Sequence, residues 1–251
     1  IQSDYQGNAQ SVTNDDSIEM VNEWVEKQTN GKITNILSEE NRGYVCALAN
    51  AIYMKADWVN KFEKEGTYKE TFTDINGDES EIDFMHQAAA FQYYENGDTK
   101  AVKLPYENGL SMVVVLGDTK NILNDIHNNK MTSKLVDVSL PKFKAEYSID
   151  YVNILKNMGI EKAFDNQNAD FSLMLENYPE RIKIDSVLQK AMIDVDEKGT
   201  EAAAATVAVV PKSALSVDEE VIEFRADKPF TYYVLDDSGN VYFAGRYVKA
   251  A

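Results

Sequence analysis

Apolar residues recur along this chain with changing period, and the period predicts the elements. Ile18, Val21, Trp24 and Val25 fall at helical spacing, so residues 15–28 are expected to form an amphipathic helix. Asn14, Asp15, Asp16 and Ser17 supply capping and first-turn side chains before it, and Thr29-Asn30-Gly31-Lys32 ends it with a pair suited to left-handed backbone. Residues 44–54 are almost continuously apolar, which predicts a central strand covered on both faces. Between 67 and 98 short segments alternate with the turn signals Asn76-Gly77 and Asn96-Gly97, predicting hairpins. A turn at Leu104-Pro105-Tyr106-Glu107-Asn108 separates two apolar strands within 101–116. Leu140-Pro141-Lys142-Phe143 suits a short edge-tolerant strand, and 149–157 suits an amphipathic helix stopping at Met158-Gly159. Residues 184–196 alternate loosely, as expected of a strand with one well-buried face. A final hairpin is predicted from 231–235 and 241–248 around Asp236-Asp237-Ser238-Gly239-Asn240.

One stretch breaks this consistency. Ala202, Ala203, Ala204 and Ala205 are the best helix formers available, yet they lie between the strand-like 184–196 and the β-branched Thr206-Val207-Ala208-Val209-Val210. Disagreement between local propensity and flanking pattern marks a place where a bistable element is to be sought. As a strand, 199–210 would turn Thr200, Ala202, Ala204, Thr206 and Ala208 to one side. Glu201, Ala203, Ala205, Val207 and Val209 would face the other.

Composition narrows the function. The 251 residues suffice for one domain or two, and a net charge of -17 argues against nucleic acid or an anionic membrane as partner. No apolar run reaches membrane-spanning length. Cys46, the only cysteine, lies in an apolar run that suggests buried packing, and His86 and His127 are the only histidines. Asp194-Val195-Asp196 and Asp74, Asn76 and Asp78 each lack an oxygen ligand at the twelfth position of a calcium loop, where Ala205 and Met85 stand. No phosphate loop, dinucleotide fingerprint or nucleophile elbow occurs, so no enzyme activity, metal or cofactor is expected.

The string Glu197-Lys198-Gly199-Thr200-Glu201-Ala202-Ala203-Ala204-Ala205-Thr206 resembles the hinge of the reactive-centre loop in inhibitory serpins, the serine-protease-inhibitor family. Asn22-Glu23-Trp24-Val25 with Thr29-Asn30-Gly31-Lys32-Ile33 is similar to the family's helix F. Residues 44–54 resemble its third sheet A strand, Asn50-Ala51-Ile52-Tyr53-Met54-Lys55-Ala56-Asp57-Trp58 with Phe62 following looks like that strand's end, and Phe243-Ala244-Gly245-Arg246 resembles its carboxy-terminal motif. The resemblance implies an α+β serpin fold of mixed sheets A, B and C with helices. It implies a single partial domain over 1–251, lacking roughly the first third of the fold, with a reactive-centre loop at 197–223. Trp58 would sit in the breach where the loop begins to insert, and Gln189 at the shutter position where many relatives have histidine.

The implied function is inhibition of a serine protease by loop cleavage and insertion as a strand into sheet A. The alternative is a non-inhibitory binding or structural member whose loop is only a substrate. Family spacing puts the reactive bond at Ser213-Ala214, with Lys212-Ser213 as the alternative in a loop longer than in many relatives. Small residues there favour an elastase-like or subtilisin-like protease with a shallow pocket, whereas Lys212 would require an acid-lined one. A monomer acting outside the cell, with no cofactor, metal, nucleic acid or membrane partner, completes the expectation.

Overall fold

A computed structural model describes residues 16–173, 182–200 and 221–250. In chain order its elements are helix α1 (Ser17–Gln28) and strands β1 (Ala47–Tyr53), β2 (Ala56–Asp57), β3 (Tyr68–Thr73), β4 (Glu79–Asn96), β5 (Thr99–Pro105) and β6 (Leu110–Leu116). Helix α2 (Ile122–His127), strands β7 (Thr132–Pro141) and β8 (Phe143–Asp150), and helix α3 (Val152–Asn157) follow. Strands β9 (Ser186–Asp196), β10 (Gly199–Thr200), β11 (Ile222–Arg225), β12 (Phe230–Asp236) and β13 (Val241–Tyr247) complete them. The chain divides into two compact units, Ile1–Tyr53 with Glu146–Ile193, and Met54–Ala145 with Asp194–Ala251.

In the first unit the apolar stripe of α1 does what its spacing predicts. Ile18 and Val25 are buried with Ile33, Ile36, Leu37, Leu188 and Met192, and Val21 and Trp24 pack against them. Asn30 and Gly31 take positive φ, 51° and 77°, ending the helix as expected. At the front, Asp16 is the N-cap but makes no side-chain capping bond, and Asn14 and Asp15 lie outside the described residues. The helix is tied down elsewhere: the Asn22 amide oxygen accepts from the Ile36 and Leu37 N–H groups at 2.9 and 3.0 Å.

Strand β1 pairs in parallel with β9 over seven positions, from Ala47 with Ser186 to Tyr53 with Met192. The expectation of cover on both faces needs correction. Ala49, Ala51 and Tyr53 pack on the α1 core, but Leu48 on the alternate face is 46% exposed, because among the described residues apolar packing reaches only one side of the strand. Asp185 clamps the start of the pair, accepting from the Val45 and Cys46 N–H groups at 2.7 and 3.2 Å. The helix expected over 149–157 begins only at Val152, since β8 runs through Asp150. The Asp150 carboxylate accepts from the Val152 N–H at 2.9 Å and from the Ser186 hydroxyl, which favours a turn over a further helical residue.

The second unit is built on an eight-stranded sheet, ordered β11-β7-β4-β5-β6-β12-β13 with β3 also on β4. The hairpin turns appear where Asn-Gly dipeptides mark them, with Gly77 and Gly97 at φ 89° and 59°. The strands are not all short, however. β4 is continuous for 18 residues because it takes β3 along its first part, β7 along its middle and β5 along its end. The short strand expected at 140–143 is instead the junction of two long ones. Pro141 closes β7, and Lys142 breaks the run by donating its N–H to the Asp83 carbonyl at 2.9 Å. Val113, Val114 and Val115 of β6 are buried on both faces, as befits a strand flanked by β5 and β12.

Candidate functional site

The functional geometry gathers where β9 ends, inside the second unit. Val195 and Asp196 turn through Glu197 and Lys198, and the chain returns as β10, with Gly199 opposite Asp196 and Thr200 opposite Val195. The Asp196 carboxylate holds the turn by accepting from the Lys198 and Gly199 N–H groups at 2.9 and 3.2 Å. On its other edge β10 pairs with β2, Gly199 opposite Asp57 and Thr200 opposite Ala56. A two-residue strand thus has a neighbour on each side. Glycine is required at its first position: φ is 145°, and a Cβ there would lie 2.2 Å from the Ala56 carbonyl oxygen and 2.8 Å from the Trp58 nitrogen.

Trp58 is the wall of this slot and is 1% exposed. Its indole N–H donates to the Asp196 carbonyl at 2.9 Å, and its backbone N–H to the Lys198 carbonyl at 2.8 Å. Its ring stacks on Tyr106 at 4.1 Å between centroids and 11° between planes, and meets Phe62 edge-on at 6.2 Å. The Tyr106 hydroxyl is 3.1 Å from the Thr200 hydroxyl in a buried hydrogen bond. Burial pushes the Tyr106 phenol well above its ordinary value despite that bond, so the ring stays neutral.

Glu197, at the tip of the turn, is buried and paired with Lys142 at 3.0 Å. Burial works against its charge. Hydrogen bonds from its own backbone N–H and from Lys142, with the nearby Lys142 charge, nevertheless hold the carboxyl below its ordinary value. The Phe62 N–H donates to the Glu197 carbonyl at 2.9 Å, so the turn is bound from both sides.

Of the residues singled out in the sequence, Trp58, Glu197, Lys198, Gly199 and Thr200 meet here. Glu201, Ala202, Ala203, Ala204, Ala205 and Thr206, and the reactive-bond candidates Lys212, Ser213 and Ala214, lie outside the described residues. Gln189 is in the first unit, half-buried in the middle of β9 and opposite Asn50 of β1. Tyr106 and Lys142 were not anticipated, since no spacing rule links them to partners 94 and 55 positions away. Cys46 is half-buried, and burial with the Asp185 charge pushes its thiol up, in keeping with a packing role. Among the described residues no group of three or more His, Cys, Asp or Glu side chains is arranged to hold a metal.

Comparison with known proteins supplies the context. Residues 1–250 match the family model for Serpin (serine protease inhibitor). The chain is 36% identical to an uncharacterised serpin-like protein of Thermococcus kodakarensis, over 97% of this chain and 58% of that one. It is 31% identical to Serpin B11 of Mus musculus, over 98% of this chain and 68% of the relative. Serpin48 of the insect Tenebrio molitor has a crystal structure that matches with a TM-score of 0.78 at 32% identity, covering 97% of this chain and 67% of that one. The thermophilic serpin Tengpin in its native state matches with a TM-score of 0.79 at 29% identity, covering 93% and 63%. The chain therefore spans 58% to 68% of the length of these two sequence relatives. A family match along its length and relatives above 30% identity show that this chain belongs to the serpin family and has the mixed-sheet α+β serpin fold.

Proposed function

We propose that this chain carries the working parts of a suicide-substrate inhibitor of serine proteases, in which the cleaved loop enters the sheet as a new strand beside β9. The observation that carries the reading is the seated root of the loop. Gly199 and Thr200 already form a strand with neighbours on both edges, Thr200 is fully buried, and after Glu201 the sequence continues as four alanines, Ala202 to Ala205. Continued in the same register, Ala203 would reach Met192 and Thr206 would reach Gln189. Small side chains allow such entry without overpacking. About ten added residues, each gaining roughly 0.5 to 1.5 kcal/mol of net hydrogen bonding, would release on the order of 10 kcal/mol.

The chemistry belongs to the protease. Its serine attacks the carbonyl carbon of Ser213, the peptide bond breaks, the amine of Ala214 leaves with the catalytic proton, and an ester links Ser213 to the enzyme. Insertion then carries that ester away and distorts the site before water can attack. Ser213-Ala214 suits a shallow elastase-like or subtilisin-like pocket, while cleavage at Lys212-Ser213 would point to a trypsin-like partner.

The test is to mix the full-length protein with pancreatic elastase, subtilisin and trypsin. The expected result is a covalent complex with one of the first two and a released peptide beginning at Ala214 by mass spectrometry. A peptide beginning at Ser213 would move the bond to Lys212. Ala204→Arg should still be cleaved but should trap no enzyme, because an inward guanidinium would be buried unpaired. Cleavage of the wild type without any complex would favour the non-inhibitory reading and overturn this one.

A further inference from the structure

We propose that Tyr106 is a positioning residue for loop insertion: its hydroxyl, fixed by the stack on Trp58, keeps Thr200 seated between β9 and β2 so that insertion starts from Glu201. This rests on the inhibitor reading above and adds to it the residue that holds the starting point.

The argument begins with how firmly Tyr106 is held. It closes the turn after β5, its N–H donating to the Leu110 carbonyl at 2.8 Å and its carbonyl accepting from Gly109 at 3.3 Å. On either side, the Val59 N–H donates to the Pro105 carbonyl and the Glu107 N–H to the Asp57 carbonyl, both at 2.9 Å. These bonds bracket the antiparallel bridge between Trp58 and Tyr106. The phenol therefore hangs from a backbone pinned to the segment that also forms the slot. The parallel stack on Trp58 fixes the ring plane as well.

Among the described residues the hydroxyl's hydrogen-bond partner is Thr200. A buried hydroxyl without a partner is costly, and Tyr106 and Thr200 are both buried, with their hydroxyls 3.1 Å apart. If Thr200 left the slot, the phenol would lose this partner, so the pair biases the loop root toward the seated state. Burial keeps the phenol protonated, which leaves the bond available across the working pH range.

Thr200 occupies the same register position before and after insertion, so the bond guides entry and need not break. Without it the root frays, and an acyl-enzyme must wait for Thr200 to reseat. More of the enzyme then hydrolyses free. The ratio of cleaved, released inhibitor to trapped complex should rise about twofold to tenfold, the change that one neutral hydrogen bond carries.

Five versions of the full-length protein test this against elastase and subtilisin: wild type, Tyr106→Phe, Thr200→Val, Thr200→Ser and the Tyr106→Phe/Thr200→Val double variant. Tyr106→Phe keeps the stack, and Thr200→Val keeps the shape. Each single variant should raise the released-to-trapped ratio with the overall rate of loop cleavage unchanged. The double variant should be no worse than the worse single one, since both remove the same bond. Thr200→Ser, which restores a hydroxyl, should lie near wild type. An unchanged ratio in Tyr106→Phe, or effects of the two singles that add, would make the tyrosine a packing residue and overturn the proposal. If the wild type itself forms no complex, the inhibitor reading fails first and this inference with it.

Discussion

Gly199→Ala probes the loop root most directly, because its cost can be worked out atom by atom. The added Cβ would lie 2.2 Å from the Ala56 carbonyl oxygen, 2.7 Å from Asp57 Cα and 2.8 Å from the Trp58 nitrogen, all backbone atoms that no rotamer change can move. Holding an alanine at φ 145° costs about 1 to 3 kcal/mol by itself. Relieving the overlap means moving β2 away by more than an ångström. That would sacrifice the Trp58-to-Lys198 backbone bond and the Gly199–Asp57 pairing at about 1 kcal/mol each. The total is about 3 to 5 kcal/mol, a large part of a typical folding free energy. In a chain of this size it should lower the apparent unfolding midpoint by roughly 6 to 20 °C. The assay is thermal unfolding of the full-length protein at one fixed scan rate, because the native state of this proposed inhibitor is held kinetically. Gly31→Ala is the control: φ is 77° but nothing lies within 4 Å of its Cβ, so only the backbone term, about 1 to 2 kcal/mol, applies. If Gly199→Ala costs no more than Gly31→Ala, the tight slot between β9 and β2 is not how the root is held.

Three further outcomes are expected. Glu197 has a folded value below its ordinary 4.5, so its contribution is present above that pH and lost as the pH falls through the folded value; Glu197→Gln should destabilise at pH 7, with the gap from wild type closing in acid. A gap that stays constant from pH 7 to pH 3 in urea titrations would refute the charge pairing with Lys142. Gly245→Ala should cost about 1 to 3 kcal/mol, because its Cβ would fall 2.3 Å from Cζ of the buried Tyr232 ring, itself packed against Phe143; unchanged stability and near-ultraviolet circular dichroism would refute this. Asp185→Asn removes the lesser of two influences that raise the Cys46 thiol, burial being the larger, so the rate of thiol labelling at pH 8 should increase modestly; a slower rate would refute it.

The elements read correctly from sequence are those whose pattern and neighbours agree. Helix α1 had its stripe and its Asn-Gly stop, β9 its loose alternation, and the terminal hairpin its Asp-Ser-Gly-Asn turn, closed in the structure by the Asp236 N–H and carboxylate. The errors lie where a distant partner decides. β1 reads as doubly covered because apolar content reports what a strand could bury, not which packing surfaces meet it. β4 reads as pieces because its length comes from three successive partners. At the site, Trp58 and the hinge stood out as unusual strings, and their meeting follows from the hairpin at 196–199. Tyr106 sits in an ordinary Pro-Tyr turn and Lys142 behind a proline, and both acquire their roles only through pairing across the sheet.

Under the proposed mechanism the seated hinge also indicates where the barrier to insertion lies. Gly199 and Thr200 need not find their places, since both edges of β10 are already paired. Alongside β9 the next positions are opposite Asp194, Ile193 and Met192, and at Met192 the edge of β9 is taken by Tyr53 of β1. Beyond that point each inserted residue must displace a parallel pair, seven in all, before forming its own bonds. The exchange is favourable when complete, because one parallel ladder gives way to a strand antiparallel to both β9 and β1, and antiparallel pairing is somewhat the more stable per residue. It is slow to begin, because the Tyr53–Met192 pair opens before any new bond closes there. On that proposal a hinge already in place and a ladder still shut are together what a metastable inhibitor requires, with the uncut chain held back by the β1–β9 pairs.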